Sequence, residues 1–249
     1  MEEARQYGQQ DFNLPHDVMT LPSQGKFYKN KKKSIKVGYL TAQDENILIS
    51  NTGGDDLIRK LIKSKVYEPD FIVDDLLEGD MESIMIFLRN TAFGPDYNFT
   101  LTDPKTSKTF QTSVRLDELN ITEVKNEPNS DGLFEFKLPK SGNNVKCKLL
   151  TIGDIKELNN TFDQYPQGVV APVVTNRLER HIVSVDGNES REEISKIVLN
   201  LPISDSKFIR NYLNDCEPKL DLRRQVTAPS GEKVDVRVTF GAEFFRPFF

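Results

Sequence analysis

The chain of 249 residues contains no tryptophan and only two cysteines and two histidines. Cys147 and Cys216 are far apart in sequence, so they are interpreted as reduced cysteines, with pairing between them as the alternative. His16 and His181 are equally isolated, which leaves little material for a Ser-His-Asp or Cys-His catalytic site. The cysteines and histidines lack zinc-finger spacing, and the glycine patterns of nucleotide-binding loops are missing. We therefore predict no catalytic residue, no metal ligand and no cofactor.

Long apolar runs and an excess of positive charge are also missing. No run approaches the ~20 apolar residues needed to span a bilayer, and residues 1–6 have neither the basic start nor the apolar core of a signal peptide. The net charge of -5 argues against general nucleic-acid binding, because contact with phosphates needs a basic surface. The basic run from Lys29 to Lys33 is interpreted as a solvated hairpin tip rather than as a phosphate site. We expect a soluble, cytosolic protein with no membrane-spanning segment and no nucleic-acid partner.

What the chain does contain is a pattern of residues that occurs twice. A turn signal, Leu21-Pro22-Ser23-Gln24-Gly25, is echoed by Leu138-Pro139-Lys140-Ser141-Gly142. Each turn precedes a strand-like run and then a Leu-Thr-x-x-Asp signal, at Leu40–Asp44 and Leu150–Asp154. Farther on, three residues match three others at one constant spacing: Asp80, Ile84 and Leu88 match Asp205, Ile209 and Leu213. The order of these matches predicts a diverged internal duplication, with coincidence among common capping and turn signals as the alternative.

The predicted fold class is α+β, built from two diverged repeats that each contain short strands, helices and a β-hairpin. A mobile N-terminal arm is predicted over residues 1–17 and a first repeat module over residues 18–125. A second repeat module is predicted over residues 132–243, followed by an aromatic C-terminal tail over residues 244–249. The polar, turn-rich stretch from Asn126 to Gly132 marks the boundary between the modules.

Local signals place several elements. Thr41 with Asp44, and Thr151 with Asp154, resemble capping boxes and predict helix starts. Longer helices are predicted from Asp55 to Ile62 and from Asp80 to about Phe93, and hairpins over residues 97–114 and 220–240. Residues 116–121 and 178–185 are predicted as strands.

Two groups of residues are candidates for binding a partner, because aromatic and arginine side chains are enriched where proteins dock. The first group is Leu21, Pro22, Gly25, Phe27 and Tyr28. The second group is Phe244, Phe245, Arg246, Phe248 and Phe249. For both groups the alternative is packing within the chain itself, with the tail capping its own core.

The carboxylate pairs Asp55-Asp56 and Asp74-Asp75 could serve acid/base chemistry, which makes a carboxylate-dependent hydrolase the alternative from another functional class. Both pairs precede apolar runs, where a helix start or a solvated helix face is sufficient to explain them. We therefore predict that the protein is not an enzyme.

Three motifs together resemble a known family. They are the segment Leu21–Tyr28, the signal Leu40-Thr41 with Asp44-Glu45, and Phe87-Leu88-Arg89-Asn90 leading into Phe93-Gly94. With them the chain resembles the baseplate hub proteins of T-even-type contractile-tailed bacteriophages, a family that contains a hub subunit and a hub assembly factor. The resemblance implies a non-enzymatic protein of the virion tail baseplate, synthesised and assembled in the host cytoplasm. Its implied partners are other baseplate or tail hub proteins, with self-association left open.

Members of that family often carry Cys-Pro-x-Cys at the tip of a hairpin after the long helix, like half a zinc ribbon. The corresponding positions in this chain are Asp103-Pro104-Lys105-Thr106 and Ala228-Pro229-Ser230-Gly231, which contain no thiolate. The resemblance therefore implies hairpins that resemble a metal-free zinc ribbon.

Three functional interpretations remain beside the hydrolase. The leading one is a structural component of the central baseplate hub, acting through protein-protein contacts. The second is a transient hub assembly factor, a chaperone absent from the mature virion. The third is an adaptor outside the phage context that presents its C-terminal aromatic residues to a partner.

Overall fold

The computed structural model describes residues 15–49, 54–166, 168–240 and 242–245. Most of the predicted N-terminal arm, residues 1–14, lies outside the described residues. The last two residues of that predicted arm, His16 and Asp17, belong to a strand and pair with Gly38 and Val37.

Among its described residues, the first half of the chain contains four strands and three helices. The strands are β1 (His16–Thr20), β2 (Ser34–Gly38), β3 (Asp96–Thr102) and β4 (Thr109–Arg115). The helices are α1 (Ala42–Ile49), α2 (Gly54–Lys65) and α3 (Glu78–Phe93). A short 3-10 turn over Val73–Asp75 precedes α3.

The second half contains five strands and four helices among its described residues. The strands are β5 (Phe134–Lys137), β6 (Asn144–Cys147), β7 (Ile182–Val185), β8 (Arg223–Thr227) and β9 (Lys233–Arg237). The helices are α4 (Ile152–Asp163), α5 (Val173–His181), α6 (Arg191–Leu199) and α7 (Ile203–Cys216), and a 3-10 turn covers Ala242–Phe245.

The sheets are small and antiparallel. β1 pairs with β2, β3 with β4 and β8 with β9, while β5, β6 and β7 form a three-stranded sheet with β6 in the centre. This mixture of helices and small antiparallel sheets confirms the α+β class. No helix in the described part of the chain combines the length and the apolar character needed to cross a membrane.

The predicted capping signals form the expected bonds. The Thr151 hydroxyl accepts a hydrogen bond from the Asp154 N–H, and the Asp154 carboxylate accepts one from the Thr151 N–H, which completes a capping box for α4. Thr41 and Asp44 make the same two bonds at α1. At the C-terminal end of α3, Gly94 adopts a φ of 81° and its N–H donates to the Asn90 carbonyl. The helix therefore ends at Phe93, as predicted.

One strand prediction is wrong, and another is correct only in its second half. Residues Leu116–Glu118 form a 3-10 turn, and only a single bridge joins Ile121 to Leu220. Leu178 to His181 form the last turn of α5, and the strand β7 begins only at Ile182. In both stretches the short apolar run fits a strand or a helical turn equally well by periodicity alone.

Two hydrophobic clusters form the core, and each contains residues from both halves. The first surrounds Ile84 and Leu88 of α3 and includes Leu222, Val238 and Phe244 from the second half. The second surrounds α7 and the sheet β5-β6-β7, and it includes Leu77 from the first half. Neither half therefore completes its apolar core with its own residues alone.

Backbone contacts also join the halves. The Thr122 N–H donates to the Lys219 carbonyl at 2.7 Å, and the Ile152 N–H donates to the Leu76 carbonyl at 2.8 Å. A Cβ placed on Gly79 would lie 2.1 Å from the Pro218 carbonyl oxygen, so only glycine allows this approach of two chain segments.

Candidate partner-binding site

The turn over residues 21–28 is packed into the body of the protein. Leu21, Pro22 and Gly25 are buried, and the Leu21 N–H donates to the Lys33 carbonyl at 2.9 Å, which closes the loop. Gly25 has a φ of +70°, and a Cβ there would lie 2.6 Å from the carbonyl oxygens of Lys31 and Lys32. The turn therefore requires glycine both for its backbone angle and for space.

A buried carboxylate of α3 binds this turn through hydrogen bonds. Asp80, in the first turn of α3, is 0% exposed, and its Oδ1 accepts a hydrogen bond from the Ser23 N–H at 2.9 Å. The Tyr28 hydroxyl donates to its other oxygen, Oδ2. The same hydroxyl accepts a hydrogen bond from the Leu77 N–H at 3.1 Å. Asp80 thus connects the turn to the positive end of α3.

Burial raises the pKa of Asp80 above its ordinary value, because it penalises the charged form more than the bonds from Ser23 and Tyr28 favour it. Burial and the neighbouring Asp80 carboxylate also raise the pKa of Tyr28. The hydroxyl is therefore held in the neutral form that donates to Asp80.

The second turn has an equivalent carboxylate with different partners. Asp205, in the first turn of α7, is 0% exposed and accepts hydrogen bonds from the N–H groups of Lys140 and Ser141, both at 2.8 Å. The Leu138 N–H donates to the Asn143 carbonyl at 2.8 Å and closes this loop. Burial opposes the charged form of Asp205, but the Ser141 and Lys140 bonds outweigh it and lower the pKa.

The first loop is seven residues longer than the second, because Leu21 bonds to Lys33, twelve positions on, whereas Leu138 bonds to Asn143, five positions on. The extra residues include Phe27 and Tyr28. Phe27 packs on Phe134 of β5 with 5.9 Å between the ring centroids.

Two lysines of the longer loop reach the segment between the halves. Lys26 forms an ion pair with Glu127 at 2.6 Å, and the Lys31 ammonium donates to the Ser130 carbonyl at 2.7 Å. A third lysine, Lys32, forms an ion pair with Glu68. The longer loop therefore ties the first half to the segment between the halves and to β5.

A cleft of about 560 Å³ lies beside this loop and is the candidate site for a partner. Leu21, Phe27 and Tyr28 line one part of it, while Pro22 and Gly25 shape the turn without lining the cleft. Phe71 and Ile72 line another part, and Ile72 is 57% exposed. The sequence predictions missed Phe71 and Ile72, because the exposure of an apolar side chain cannot be read from a short helical pattern.

The C-terminal candidates pack inward. Phe244 and Phe245 are 0% and 2% exposed, and the Phe244 ring lies 5.4 Å from Tyr97 and 4.9 Å from Phe240 between centroids. This burial favours the alternative in which the tail caps its own core. Arg246, Phe248 and Phe249 lie outside the described residues.

Arg89 fixes the position of the buried tail. This side chain is 1% exposed, and its guanidinium donates to the carbonyls of Phe244 at 3.2 Å, Gly94 at 2.8 Å and Asp96 at 3.0 Å. It also lies over the Tyr97 ring, 5.0 Å from the centroid. The motif that contains Arg89 thus has a structural role, because Arg89 joins the end of α3 to residues 242–245.

The tips of the two hairpins meet. Asp103, at the tip of β3-β4, is 1% exposed and accepts a hydrogen bond from the Lys105 N–H of its own turn at 2.9 Å. It also accepts bonds from the Ser230 N–H at 3.1 Å and the Ser230 hydroxyl at 2.8 Å, at the tip of β8-β9.

Two of the four carboxylates considered for catalysis form ion pairs. Asp56 pairs with Lys156 at 3.4 Å and Asp74 pairs with Arg59, while the side chain of Asp55 lies outside the described residues. Within the described ranges, no group of three or more His, Cys, Asp or Glu side chains could hold a metal ion.

The remaining candidates from composition are buried in the second half. The His181 ring lies 2.9 Å from the Lys148 carbonyl through Nδ1, and burial lowers its pKa, so the ring is a neutral structural group. Cys147 and Cys216 are free and buried, and burial raises the pKa of Cys147 to about 12, which disfavours a reactive thiolate.

Comparison with known proteins gave one match. The sequence model of one family, described as T4 bacteriophage base plate protein, matches residues 15–246. No curated protein and no solved structure matches the chain. The match covers both turns, both core clusters and both hairpins.

Proposed function

Because the chain belongs to the family of T4 bacteriophage base plate proteins, we propose that it is a non-enzymatic structural component of the central baseplate hub. Membership of this family supports a location in the tail baseplate and contacts with other baseplate proteins. The hub position, and a role confined to protein-protein contacts, are the parts that we propose.

The observation that carries the proposal is the use of buried carboxylates. Asp80, Asp205 and Asp103 are each at most 1% exposed, and each accepts at least one hydrogen bond from an N–H group of a turn in a distant part of the chain. A catalytic carboxylate must reach a substrate, whereas these three hold loops in fixed positions. A rigid body with fixed loops suits a protein that others bind during assembly.

The two halves are proposed to be diverged repeats. Both halves contain, in the same order, a Leu-Pro turn, a strand, a capped helix, a long helix and a hairpin. In both, the turn is bound by an aspartate in the first turn of the long helix. This shared contact is hard to attribute to common turn signals, because it joins segments that are far apart in sequence.

The paired hairpin tips are proposed to be a metal-free counterpart of a zinc ribbon. Asp103 stands at a position where the related hairpins often have cysteine, and its carboxylate binds both its own turn and Ser230 of the opposite tip. In this arrangement a hydrogen-bonded carboxylate joins two turns that thiolates on a metal could otherwise join.

Partner contacts are proposed at the cleft beside the first turn. Leu21, Phe27 and Tyr28 form one part of its wall, and the exposed Ile72 adds apolar surface to it. Gly25 and Pro22 set the shape of the turn from within.

Quantitative mass spectrometry of purified particles and of infected-cell lysate tests the proposal. A fixed copy number in particles, comparable with that of other hub components, is expected for a structural subunit. Abundance in the lysate with none in particles would instead identify a transient assembly factor. Presence in particles without cross-links to hub proteins would contradict the hub position.

A further inference from the structure

A second and larger cleft of about 720 Å³ contains a buried acidic group for which the structure shows no direct ion pair. The cleft lies between α2 and α3 on one side and α4 on the other, next to Phe240. Glu82 of α3 lines it and is only 8% exposed. Among the described residues, none forms a hydrogen bond or an ion pair within 4 Å with this carboxylate.

Burial raises the pKa of Glu82 to about 7, with further raising by Glu78 and Glu217 and opposing effects of Arg237 and Lys219. Lys219 lies 3.7 Å from Glu217, so its charge is shared with that carboxylate. A carboxyl group in this state is close to half ionised at neutral pH. A cation brought next to it would favour the charged form.

The other charges around the cleft leave it short of positive charge. Its lining contains four acidic and three basic residues: Asp56, Glu78, Glu82, Asp163, Arg59, Lys156 and Arg237. Two of the basic residues are already paired, Lys156 with Asp56 and Arg59 with Asp74. Among the described residues that line the cleft, Arg237 is therefore the one cation without such an ion pair. Three acidic residues of the lining remain beside it: Glu78, Glu82 and Asp163.

The walls next to Glu82 are apolar. Met81 and Met85 lie on the same helix, and Ile152 and Ile155 of α4 line the opposite side. Methionine side chains adapt to ligands of different shape. The cleft thus combines apolar walls with a buried carboxyl group that has no partner.

We propose that this cleft binds a lysine or arginine side chain, flanked by apolar residues, from a segment of a partner protein. The ammonium or guanidinium group bonds to the Glu82 carboxylate, and the flanking residues contact the methionine and isoleucine walls. The inference rests on the proposed function for the identity of the partner as a baseplate protein, but the chemistry of the site does not depend on it.

Binding is linked to a proton. The cation binds the ionised form of Glu82, so binding at neutral pH releases part of a proton to solvent. Affinity should fall about tenfold from about pH 8 to about pH 6, as Glu82 becomes protonated, because arginine does not titrate in this range.

The test uses the full chain and the capped peptide acetyl-Leu-Arg-Leu-amide, with its citrulline analogue as the uncharged control. The carboxyl carbon of Glu82 is followed by NMR in protein labelled at glutamate, and its resonance is assigned by its loss in Glu82→Gln. The arginine peptide should shift this resonance at pH 8 and lower the pKa of Glu82, while the citrulline peptide should not. Glu189→Gln, an exposed change on the β7–α6 turn, is the matched control and should bind as the native chain does.

Four results would overturn the proposal. The first is equal binding of the arginine and citrulline peptides, and the second is unchanged binding to a folded Glu82→Gln chain. The third is the absence of any shift at Glu82 up to about 10 mM peptide, which is weaker than the weakest useful contact. Arg246→Ala tests whether the chain supplies its own cation, and a changed Glu82 pKa in that variant would also exclude a partner as the source. None of these results bears on whether the protein is present in particles, so the hub proposal is tested separately.

Discussion

Asp80 and Asp205 bind equivalent turns, but their carboxylates accept hydrogen bonds from different groups. Asp205 receives two backbone N–H groups from its turn, and its pKa is lowered. Asp80 receives one backbone N–H and the Tyr28 hydroxyl, and its pKa is raised. The same carboxylate in the same place on a helix is therefore a stable anion in one half and a disfavoured one in the other.

The longer first loop accounts for the difference. It places Tyr28 over Asp80 and Phe27 against Phe134, and thereby covers the carboxylate and contacts the second half. The second turn has no such extension; it closes the β5-β6 hairpin and bonds to Asp205 of the same half. The longer loop thus joins the two halves, whereas the contacts of the shorter loop with Asp205 stay within the second half.

The largest expected difference in stability between the two turns comes from substitution of their glycines. Gly25→Ala should reduce the free energy of unfolding by at least about 3 kcal/mol, because the Cβ meets two carbonyl oxygens at a positive φ. Gly142→Ala has a similar φ of +78° but meets only the Lys137 Cε at 3.8 Å, so about 1 kcal/mol is expected. Urea denaturation of both variants measures the difference, and equal losses would show that the approach to Lys31 and Lys32 is not restrictive.

Removal of the carboxylates should weaken both halves. Asp80→Ala and Asp205→Ala should each cost about 2–4 kcal/mol, because the first leaves the Ser23 N–H and the Tyr28 hydroxyl without an acceptor and the second leaves the Lys140 and Ser141 N–H groups without one. Asp75→Ala, at an exposed position, is the control and should change stability by less than about 0.5 kcal/mol. Chemical denaturation measures these losses, with one common slope of unfolding free energy against denaturant concentration. A loss of stability in only one of the two variants would mean that the turns are not equivalent.

A smaller effect is expected at the residue that distinguishes the turns. Tyr28→Phe removes a donor to Asp80 and the acceptor of the Leu77 N–H, and should cost about 1–3 kcal/mol. Tyr39→Phe is the matched control, because Tyr39 also donates to an aspartate, Asp17, but that hydrogen bond is exposed to solvent. We expect no measurable change in the control. Thermal unfolding of the two variants measures the difference. Equal melting temperatures would show that the Tyr28 hydroxyl does not stabilise the first turn.

The smallest effect is a difference in pH dependence. The pKa of Asp80 is raised on folding, so its contribution to stability is greatest below its unfolded pKa and falls as the pH rises through the folded pKa. The pKa of Asp205 is lowered, so its contribution is present above its unfolded pKa and falls as the pH drops through the folded pKa.

The native chain should therefore lose stability relative to Asp80→Asn as the pH rises, and gain stability relative to Asp205→Asn. Parallel urea titrations across the acidic range measure the two slopes. Slopes of the same sign would contradict the assignment of the two carboxylates to opposite states.

Local contacts could be predicted from the sequence, whereas contacts between distant segments could not. Thr151 and Asp154 are three residues apart, so their capping box follows from spacing alone. The matching spacings of Asp80 and Asp205 were visible, but their bonding to the two turns was not, because Ser23 and Asp80 are separated by 57 positions. The bond from Ser230 to Asp103 spans 127 positions and gives no local signal.

Burial of the C-terminal aromatic residues was equally undecided from sequence. The pattern of phenylalanines near Arg246 fits a docking tail and a core cap equally well, since both need apolar rings. The burial of Phe244 and Phe245, together with the bond from Arg89 to the Phe244 carbonyl, favours the core cap for the described part of the tail.

The participation of Phe244 and Phe245 in the core around α3 has a consequence for synthesis. A ribosome makes α3 long before it makes residues 242–245, so the nascent first half exposes an apolar surface that its own residues do not cover. That surface stays open until the hairpin β8-β9 and the residues after it have left the exit tunnel. The core of the half that is translated first is thus completed only after the end of the second half has been made.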